Sequence, residues 1–262
     1  MISSTDLLSP IQLPAEKKLY FASDFHLGAP NFRQSKQREQ TIVRWLETIR
    51  SDAHGLFLLG DIFDFWFEYR HVVPKGFLHL QSKLIQLLER GIFVVLFTGN
   101  HDLWMFDYFE HELGVPVVRQ PISIQVNNTH LHIGHGDGLG PGDRTYKFLK
   151  KIFTAKIGQV LFSLIHPDLG IAFANSWSRS SRKSNEKKDE LFRGKEHEWI
   201  YHYCREIEAN THHDYYVFGH RHLPLDIPLN PESRYYNLGE WITQPHYGVL
   251  NGKTFELRTF QG

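Results

Sequence analysis

"VFGHRHLP" (residues 217–224) ends an apolar run with two histidines, His220 and His222, separated by one arginine. Four other apolar runs end in a similar way, in "SDFHLG", "LGDIFDFW", "TGNHDLW" and "HGDG". Because the carboxyl ends of strands in an α/β sheet meet at one edge, we expect the polar side chains after these runs to lie close together. Those side chains are Asp24, His26, Asp61, Asp64, Asn100, His101, Asp102, His135, Asp137, His220 and His222.

Helical patterns separate the apolar runs. Apolar residues repeat at helical spacing from Ile42 to Ile49 and again from Phe77 to Leu88, between the strand-like runs "KLYFAS", "GLFLLG" and "IFVVLFTG". The turn sequences "NNT" and "NG" indicate hairpins, which require antiparallel strand pairs. Together these patterns predict an α/β fold with a mixed sheet and helices packed outside it.

The composition limits the classes of function. The chain has 29 basic and 29 acidic residues, and the net charge of zero disfavours a general polyanion binder, so no nucleic-acid partner is expected. A single cysteine, Cys204, excludes an intramolecular disulfide and a thiolate metal cluster, which fits a cytoplasmic location. No signal peptide is expected, because the first residues lack a positive start followed by an apolar stretch, and no membrane-spanning segment is expected, because His166, Pro167 and Asp168 interrupt the least charged region.

Residues 141–200 have a different character from the rest of the predicted domain, which extends over residues 17–262. Long helical patterns replace strand signals here, and 12 basic residues exceed 7 acidic ones, so we interpret the segment as a helical insertion, or cap. Its helical positions are either an apolar wall for a lipid substrate or an amphipathic face that covers the sheet, and both interpretations stay open. They comprise apolar Phe148, Ile152, Phe153, Ile157, Leu161 and Phe162, next to Lys147, Lys150 and Lys151.

The polar residues behind the strands have the composition of a metal centre. Histidines with carboxylates, one carboxamide and no thiolate suit Mn, Fe or Zn. The groups are too many for one ion, and a shared carboxylate can bridge two ions roughly 3.5–4 Å apart. Such a pair lowers the pKa of a water and neutralises charge on a phosphoryl oxygen, which predicts phosphoester hydrolysis. His101 is the candidate proton donor, with Asp102 orienting its ring.

Several other polar residues receive a structural interpretation. Asp64 is either a support for a metal ligand or a solvated loop charge, of which the supporting role is favoured, and Asp137 is predicted to be a turn residue. His130 and His132 alternate with apolar residues, which places them on the outward or second-layer face of a strand. His213 lies in polar surroundings and is predicted to be a surface residue.

The order DxH, GDxxD, GNHD, GH, GHxH resembles the calcineurin-like metallophosphoesterase superfamily. The resemblance extends from Asp24 to His222 and implies a two-sheet sandwich flanked by helices, an αββα architecture with a helical insertion. It implies that one metal is held by Asp24, His26, Asp61 and His222. It also implies a second metal held by Asp61, Asn100, His135 and His220.

Within that superfamily, four stretches are similar to the UDP-2,3-diacylglucosamine pyrophosphatases of lipid A synthesis, in particular those of Bacteroidetes-type bacteria. They are "SDFHLGAPNF", "GDIFDFWFEY", "TGNHDLWMFDYF" and "HGDGLGPGDRTYKFLKK". The resemblance implies a manganese-dependent hydrolase that cleaves the pyrophosphate of a UDP-linked diacyl sugar, releasing UMP and the lipid sugar 1-phosphate. It also implies a peripheral position on the cytoplasmic face of the inner membrane, with the insertion holding the acyl chains.

The same resemblance assigns substrate contacts. The implied contacts are Asn100, His101, Trp66, Asp143 and Tyr146, with Arg179, Ser181 and Lys183 in the region of basic and hydroxyl contacts. One position departs from the best-known branch, which carries Arg after the Asn of the third motif where this chain has His101. His101 is therefore either a proton donor or a phosphate clamp.

Three alternative functions follow from the same residues. A phosphodiesterase or phosphatase for a soluble nucleotide would keep the chemistry without needing an apolar trough. A scaffold without catalysis should lack metal ligands, whereas every expected ligand is present. A nuclease is opposed by the zero net charge, although the basic run over residues 179–188 could contact phosphates locally. The sequence indicates no obligate protein partner.

Overall fold

The computed structural model describes residues 9–142, 144–174, 176, 178 and 191–262. In chain order, the strands of this part are β1 (Lys18–Ala22), β2 (Ala53–Leu59), β3 (Phe93–Phe97), β4 (Val117–Val118), β5 (Ile122–Val126), β6 (Thr129–Gly134), β7 (Tyr215–Phe218), β8 (Pro224–Pro228), β9 (Arg234–Leu238), β10 (His246–Asn251) and β11 (Thr254–Thr259). The helices are α1 (Phe32–Ile49), α2 (Leu78–Glu89), α3 (Arg144–Thr154), α4 (Lys156–Ser163), α5 (Pro167–Ala174) and α6 (Trp199–Glu208).

The strands form two mixed sheets. The first has the order β11-β10-β1-β2-β3-β4, in which β1 to β4 run parallel and β10 pairs antiparallel with β1. The second has the order β5-β6-β7-β9-β8, with a parallel centre and antiparallel edges. Both predicted hairpins are present, as β5–β6 and β10–β11. The carboxyl ends of β1, β2, β3, β6 and β7 therefore meet at one end of the sandwich.

Alternation along β1 shows how the layers are built. Leu19 and Phe21 belong to the buried layer between the two sheets, while Tyr20 belongs to the layer beneath α1 and α2. Trp45 of α1 is fully buried in that outer layer. On the opposite side, α6 covers the second sheet and contributes Cys204 to a third buried cluster. The predicted αββα sandwich is confirmed by this arrangement of sheets and helices.

Helices α3, α4 and α5 lie within the segment predicted to be an insertion. None of the residues of α4 is buried, so this helix packs weakly against the remainder of the molecule. In the described part of the chain, no single helix has the length and apolar composition needed to cross a membrane. Helices α4 and α5 satisfy that test only as a pair, and the pair is bent by 119°.

Aromatic side chains join these helices to the sandwich. The indole Nε1 of Trp104 donates to the carbonyl oxygen of Phe153 over 2.8 Å, and the Phe162 ring lies 4.8 Å from that indole and 4.7 Å from the Phe67 ring. The chain also enters and leaves the segment at one place. A Cβ atom at Gly140 would overlap the backbone carbonyl of Trp199, so only glycine permits this approach.

Candidate metal centre

The seven predicted metal ligands lie on loops that follow the carboxyl ends of β1, β2, β3, β6 and β7. Five of them adopt a left-handed backbone conformation, which non-glycine residues rarely adopt and which costs about 1–3 kcal/mol each. Their φ angles are 55° at Asp24, 44° at His26, 53° at Asp61, 69° at His220 and 55° at His222. Such strain persists where the surrounding structure fixes the backbone, and it is concentrated here at one group of side chains.

Four of the side chains form a first cluster, comprising Asp24, His26, Asp61 and His222, whose donor atoms all lie within 4.8 Å of one another. The Nε2 atoms of His26 and His222 are 3.1 Å apart, and Asp24 Oδ1 lies 3.1 Å from His222 Nε2. Asp61 Oδ2 is 3.8 Å from His26 Nε2. The cluster brings together the whole set that the family resemblance assigns to one metal.

The second cluster lies on the other side of Asp61. His135 Nε2 is 3.3 Å from Asp61 Oδ2, and Asn100 Oδ1 is 2.9 Å from His220 Nδ1 and 3.3 Å from His135 Nε2. The same oxygen, Oδ2 of Asp61, thus faces both clusters. This is the arrangement expected of a carboxylate shared by two cations.

The donors fit divalent metal ions. Cations of the size of Zn or Mg bind nitrogen and oxygen at about 2.0–2.2 Å, so neighbouring donors around one ion lie about 3 Å apart. The 3.1 Å separations in the first cluster match that spacing. In addition, the buried Oδ1 of Asp24 makes no hydrogen bond of acceptable geometry to any described residue, despite the nearby His222 Nε2, which would be costly without a cation to contact it. The site can therefore bind divalent metal.

Electrostatics favour positive charge at the same place. Burial opposes ionisation of Asp61, but the neighbouring His135, His101 and His26 outweigh it and lower the pKa of this carboxyl well below its usual range. Burial likewise disfavours a charged His135, yet the adjacent Asp61 carboxylate raises the pKa of that imidazole to about 10. A field that holds a proton on His135 also attracts a metal ion, and the ion must displace that proton to bind.

Contacts outside the clusters orient the ligands. His135 Nδ1 donates to the carbonyl oxygen of Leu59 over 2.8 Å, which leaves Nε2 to face Asp61. Asp64 Oδ1 lies 3.5 Å from His26 Nδ1, on the side of the ring opposite to the cluster. This position agrees with the predicted supporting role of Asp64.

Asp102 has a different role from the predicted one. Its carboxylate accepts hydrogen bonds from the backbone N–H groups of Gly99 (2.7 Å), Ile62 (2.8 Å), Asp61 (3.3 Å) and Phe63 (3.3 Å). Burial and the nearby Asp61 charge raise its pKa to about 7 despite these donors. The prediction that Asp102 orients the ring of His101 is therefore wrong, because this carboxylate instead fastens two ligand-bearing loops together.

His101 lies beside the first cluster, with its ring centroid 4.8 Å from that of His26. Its backbone N–H donates to Asp61 Oδ1 over 2.8 Å, and its ring Nδ1 is 3.0 Å from the carbonyl oxygen of Asp64. Burial lowers the pKa of His101 to about 4, so the ring is neutral near pH 7. The side chain is 16% exposed, which leaves one edge open toward a substrate.

Apart from Asn100 and His101, the predicted substrate contacts divide into three groups. Tyr146 of α3 is near the centre, with its hydroxyl donating to Asp137 Oδ2 and its ring centroid 6.5 Å from that of His220. Trp66 is fully buried, and its Nε1 donates to Glu68 over 3.0 Å, so the prediction that it contacts substrate is wrong in this structure. The remaining predicted contacts lie outside the described residues; they are Asp143, Arg179, Ser181 and Lys183.

Two buried residues have partners that the sequence did not indicate. Asp137 lies in a turn, as predicted, but it is only 5% exposed, and its carboxylate binds Lys150 Nζ at 2.6 Å and the Tyr146 hydroxyl, which ties α3 to the loop after β6. His213, predicted to lie on the surface, is 3% exposed, and its Nε2 lies 2.8 Å from Ser123 Oγ. The sequence offers one signal for this role of Asp137. It lies two residues after the ligand His135 and is followed by Tyr146 and Lys150.

Arg221 explains why an arginine separates His220 from His222. Its guanidinium binds both carboxylate oxygens of the buried Glu198, with Nε 2.9 Å from Oε2 and an Nη atom 3.0 Å from Oε1. This two-bond geometry is strong and directional. Glu198 directly precedes α6, so the pair fixes the ligand loop to the packed outer layer of the second sheet.

Replacing Glu198 with glutamine is expected to weaken metal binding by about tenfold or more, because the loop that carries His220 and His222 loses its bidentate anchor. Competition with a chromogenic chelator measures the affinity. Asp226→Asn is the matched control, since Asp226 pairs with Arg234 on the surface at 2.8 Å. Wild-type metal affinity in Glu198→Gln, accompanied only by a lower melting temperature, would assign the pair to stability alone.

Comparisons with known proteins agree with this geometry. The family model described as calcineurin-like phosphoesterase matches residues 17–224. A Porphyromonas gingivalis protein named UDP-2,3-diacylglucosamine hydrolase is 34% identical over 93% of this chain and 98% of its own length. A Shewanella baltica protein of the same name is 25% identical over 86% of this chain and 89% of its own length.

Among solved structures, Yfce, a phosphoesterase from E. coli, is similar over 91% of this chain and 90% of that chain, with 17% identity and a TM-score of 0.41. The family match covers most of the chain, and the P. gingivalis relative covers nearly all of it. The chain therefore belongs to the calcineurin-like phosphoesterase family.

Proposed function

We propose that this protein hydrolyses the pyrophosphate bond of UDP-2,3-diacylglucosamine, giving UMP and 2,3-diacylglucosamine 1-phosphate, a reaction of lipid A biosynthesis. The observation that carries the proposal is the pair of donor clusters sharing Asp61 in a chain 34% identical to a hydrolase named for that substrate. Manganese is the proposed metal, since nitrogen and oxygen donors without thiolate suit a borderline or hard divalent ion.

The chain's own residues have distinct tasks in this reaction. Asp24, His26, Asp61 and His222 would hold one cation, and Asp61, Asn100, His135 and His220 would hold the other. When bound, such cations activate a water and neutralise charge on the phosphoryl group. His101 lies against the first cluster with one ring edge exposed, where it can contact a phosphoryl oxygen or the leaving oxygen. Asp102 keeps the loops of Asp61 and Asn100 at a fixed separation.

The surface of helices α3 to α5 supports a lipid substrate over a soluble nucleotide. A soluble protein rarely exposes many large apolar side chains in one segment without a binding role. The exposed fractions in this segment are 64% for Phe148, 77% for Ile157, 61% for Leu161, 78% for Leu164, 66% for Leu169 and 61% for Phe173. Two fatty chains require such an apolar surface next to the site of cleavage.

We further propose that the same surface places the protein on the cytoplasmic face of the inner membrane. Basic residues on α3, among them Lys147 and Lys151, accompany the apolar residues, and this combination favours the interface of an anionic bilayer. No protein partner is required by this proposal. Co-sedimentation with vesicles of zwitterionic and of anionic phospholipid tests it, and equal recovery with and without vesicles would contradict it.

The substrate is tested by turnover of UDP-2,3-diacylglucosamine in Mn²⁺, Mg²⁺ or chelator, with UDP-N-acetylglucosamine and bis(4-nitrophenyl) phosphate as comparisons. Hydrolysis in ¹⁸O-labelled water followed by mass spectrometry identifies which phosphorus is attacked. We expect metal-dependent release of UMP, with the diacyl substrate strongly preferred. Equal use of the sugar nucleotide without fatty chains would support the alternative of a soluble nucleotide substrate.

Replacing Leu161 of α4 with serine is expected to raise KM for the diacyl substrate about tenfold or more, because a buried leucine contributes about 1.5–3 kcal/mol. The kcat for bis(4-nitrophenyl) phosphate should not change, since that substrate has no fatty chain. Leu78→Ser is the matched control, because Leu78 is 71% exposed on α2, outside this segment. An unchanged KM in Leu161→Ser would remove this helix from the lipid contact.

A further inference from the structure

Ser178 connects the segment of helices α3 to α5 directly with the candidate centre. It follows α5 in the chain and is 4% exposed. Its hydroxyl oxygen lies 3.0 Å from Asp64 Oδ2 and 3.3 Å from His101 Nδ1. The contacts span 114 and 77 residues of sequence, respectively. A residue of the insertion thus touches both the supporting carboxylate and the ring that faces the substrate side.

The oxygens around His101 and Ser178 accept hydrogen bonds, and this determines where the hydrogens of the imidazole and the hydroxyl lie. The carbonyl oxygen of Asp64, 3.0 Å from His101 Nδ1, can only accept, so Nδ1 carries a hydrogen and donates it. The hydroxyl of Ser178 donates a hydrogen bond to Asp64 Oδ2, in which the carboxylate oxygen is the acceptor. The remaining lone pairs of that hydroxyl then face the N–H of His101 Nδ1.

We propose that Ser178 is a positioning residue that holds the imidazole of His101 with Nδ1 protonated and Nε2 directed toward the reacting group. The inference rests on the proposed function, in which His101 contacts the phosphoryl or leaving oxygen. Without the hydroxyl, the Asp64 carbonyl is the single close hydrogen-bond acceptor at Nδ1 among the described residues. Rotation of the ring and exchange of tautomers then become easier.

Within the described part of the chain, no neighbouring acid substitutes for the hydroxyl. Asp102, adjacent to His101 in sequence, is fully occupied by four backbone N–H groups. The carboxylate oxygen of Asp64 nearest to His101 Nδ1 is 3.8 Å away, beyond hydrogen-bond distance. The insertion therefore completes the catalytic geometry as well as adding apolar surface.

Kinetics of Ser178→Ala test the proposal. We expect kcat for the UDP-linked diacyl sugar to fall roughly tenfold with KM and metal content unchanged. Ser178→Thr keeps the hydroxyl and should recover part of the rate. In a His101→Ala background, Ser178→Ala should cause no further loss, because its effect passes through the missing ring. Ser82→Ala, an exposed serine of α2, is the matched control.

Nitrogen NMR of ¹⁵N-histidine-labelled, Mg²⁺-loaded protein tests the tautomer without any turnover. The His101 signals are identified by their loss in His101→Ala. We expect the Nδ1–H form in the wild type and a mixture of forms in Ser178→Ala. An unchanged tautomer, or losses that add in the double variant, would overturn the proposal. If the proposed substrate is wrong, only the kinetic comparison is lost, and the NMR result still tests the positioning role of Ser178. Failure of the proposed function can therefore be told from failure of this inference.

Discussion

Asp61→Ala is expected to reduce turnover by more than about a thousandfold and to lower metal content at the same time. The reason is that Oδ2 of Asp61 lies 3.8 Å from His26 and 3.3 Å from His135, so one substitution removes a donor from both clusters. It also removes Oδ1, which accepts the backbone N–H of His101. No other described carboxylate is placed between the two groups of histidines.

Metal content by inductively coupled plasma mass spectrometry, measured with initial rates, tests this expectation. Asp61→Asn is the companion variant, because it keeps the shape and the Oδ1 acceptor while losing the negative charge. Asp107→Ala is the matched control, since that carboxylate is 68% exposed. A folded Asp61→Ala protein with two equivalents of metal and near-wild-type activity would contradict the bridging role.

His101→Ala is expected to slow the chemical step by about 10²–10⁴-fold if the ring delivers a proton to the leaving oxygen. The position supports this role, since the ring lies against His26 and one edge is exposed. Because burial lowers the pKa of His101 to about 4 and the hydrogen of the neutral ring lies on Nδ1, Nε2 must take up a proton before it can deliver one to the leaving oxygen. A clamp on phosphate would instead affect binding.

Separate measurement of kcat and KM distinguishes the two roles. Loss of kcat with little change in KM supports proton delivery, and the loss should shrink for bis(4-nitrophenyl) phosphate, whose leaving group needs little protonation. An unchanged kcat with a large rise in KM would identify a clamp. His111→Ala is the matched control, because His111 is 72% exposed.

The sequence predicted the part of the site that depends on strand ends. Asp24, His26 and Asp61 follow runs whose composition identifies them as buried strands, and parallel strands bring their carboxyl ends together whatever lies between them in sequence. The α/β class and the helices outside the sheet were predicted on the same basis, because strand and helix periodicities are local, whereas the two-sheet αββα architecture was implied by the family resemblance. The described contacts bring all seven proposed ligands to one place.

The errors concern partners that leave no trace in sequence. Asp102 accepts hydrogen bonds from backbone N–H groups. Because almost every residue carries such a group, the amino-acid types do not show which ones Asp102 binds. Trp66 lies in a loop, where no strand or helix periodicity shows whether a side chain points inward or outward. Its burial depends on Phe109, which lies 43 residues further along the chain. Ser178 was overlooked for a similar reason, because its two partners come from distant loops.

The close approach of Gly140 to Trp199 has a consequence for engineering and evolution. The segment between Gly140 and Trp199 begins and ends at neighbouring backbone positions. It could therefore be replaced by a short connection, or by the equivalent segment of a relative, without distorting the two sheets. If the segment holds the acyl chains, as proposed above, a transplanted segment would change the acyl-chain length that the enzyme prefers. The exchanged protein would regain the full kcat only if the new segment also placed a hydroxyl next to the imidazole of His101.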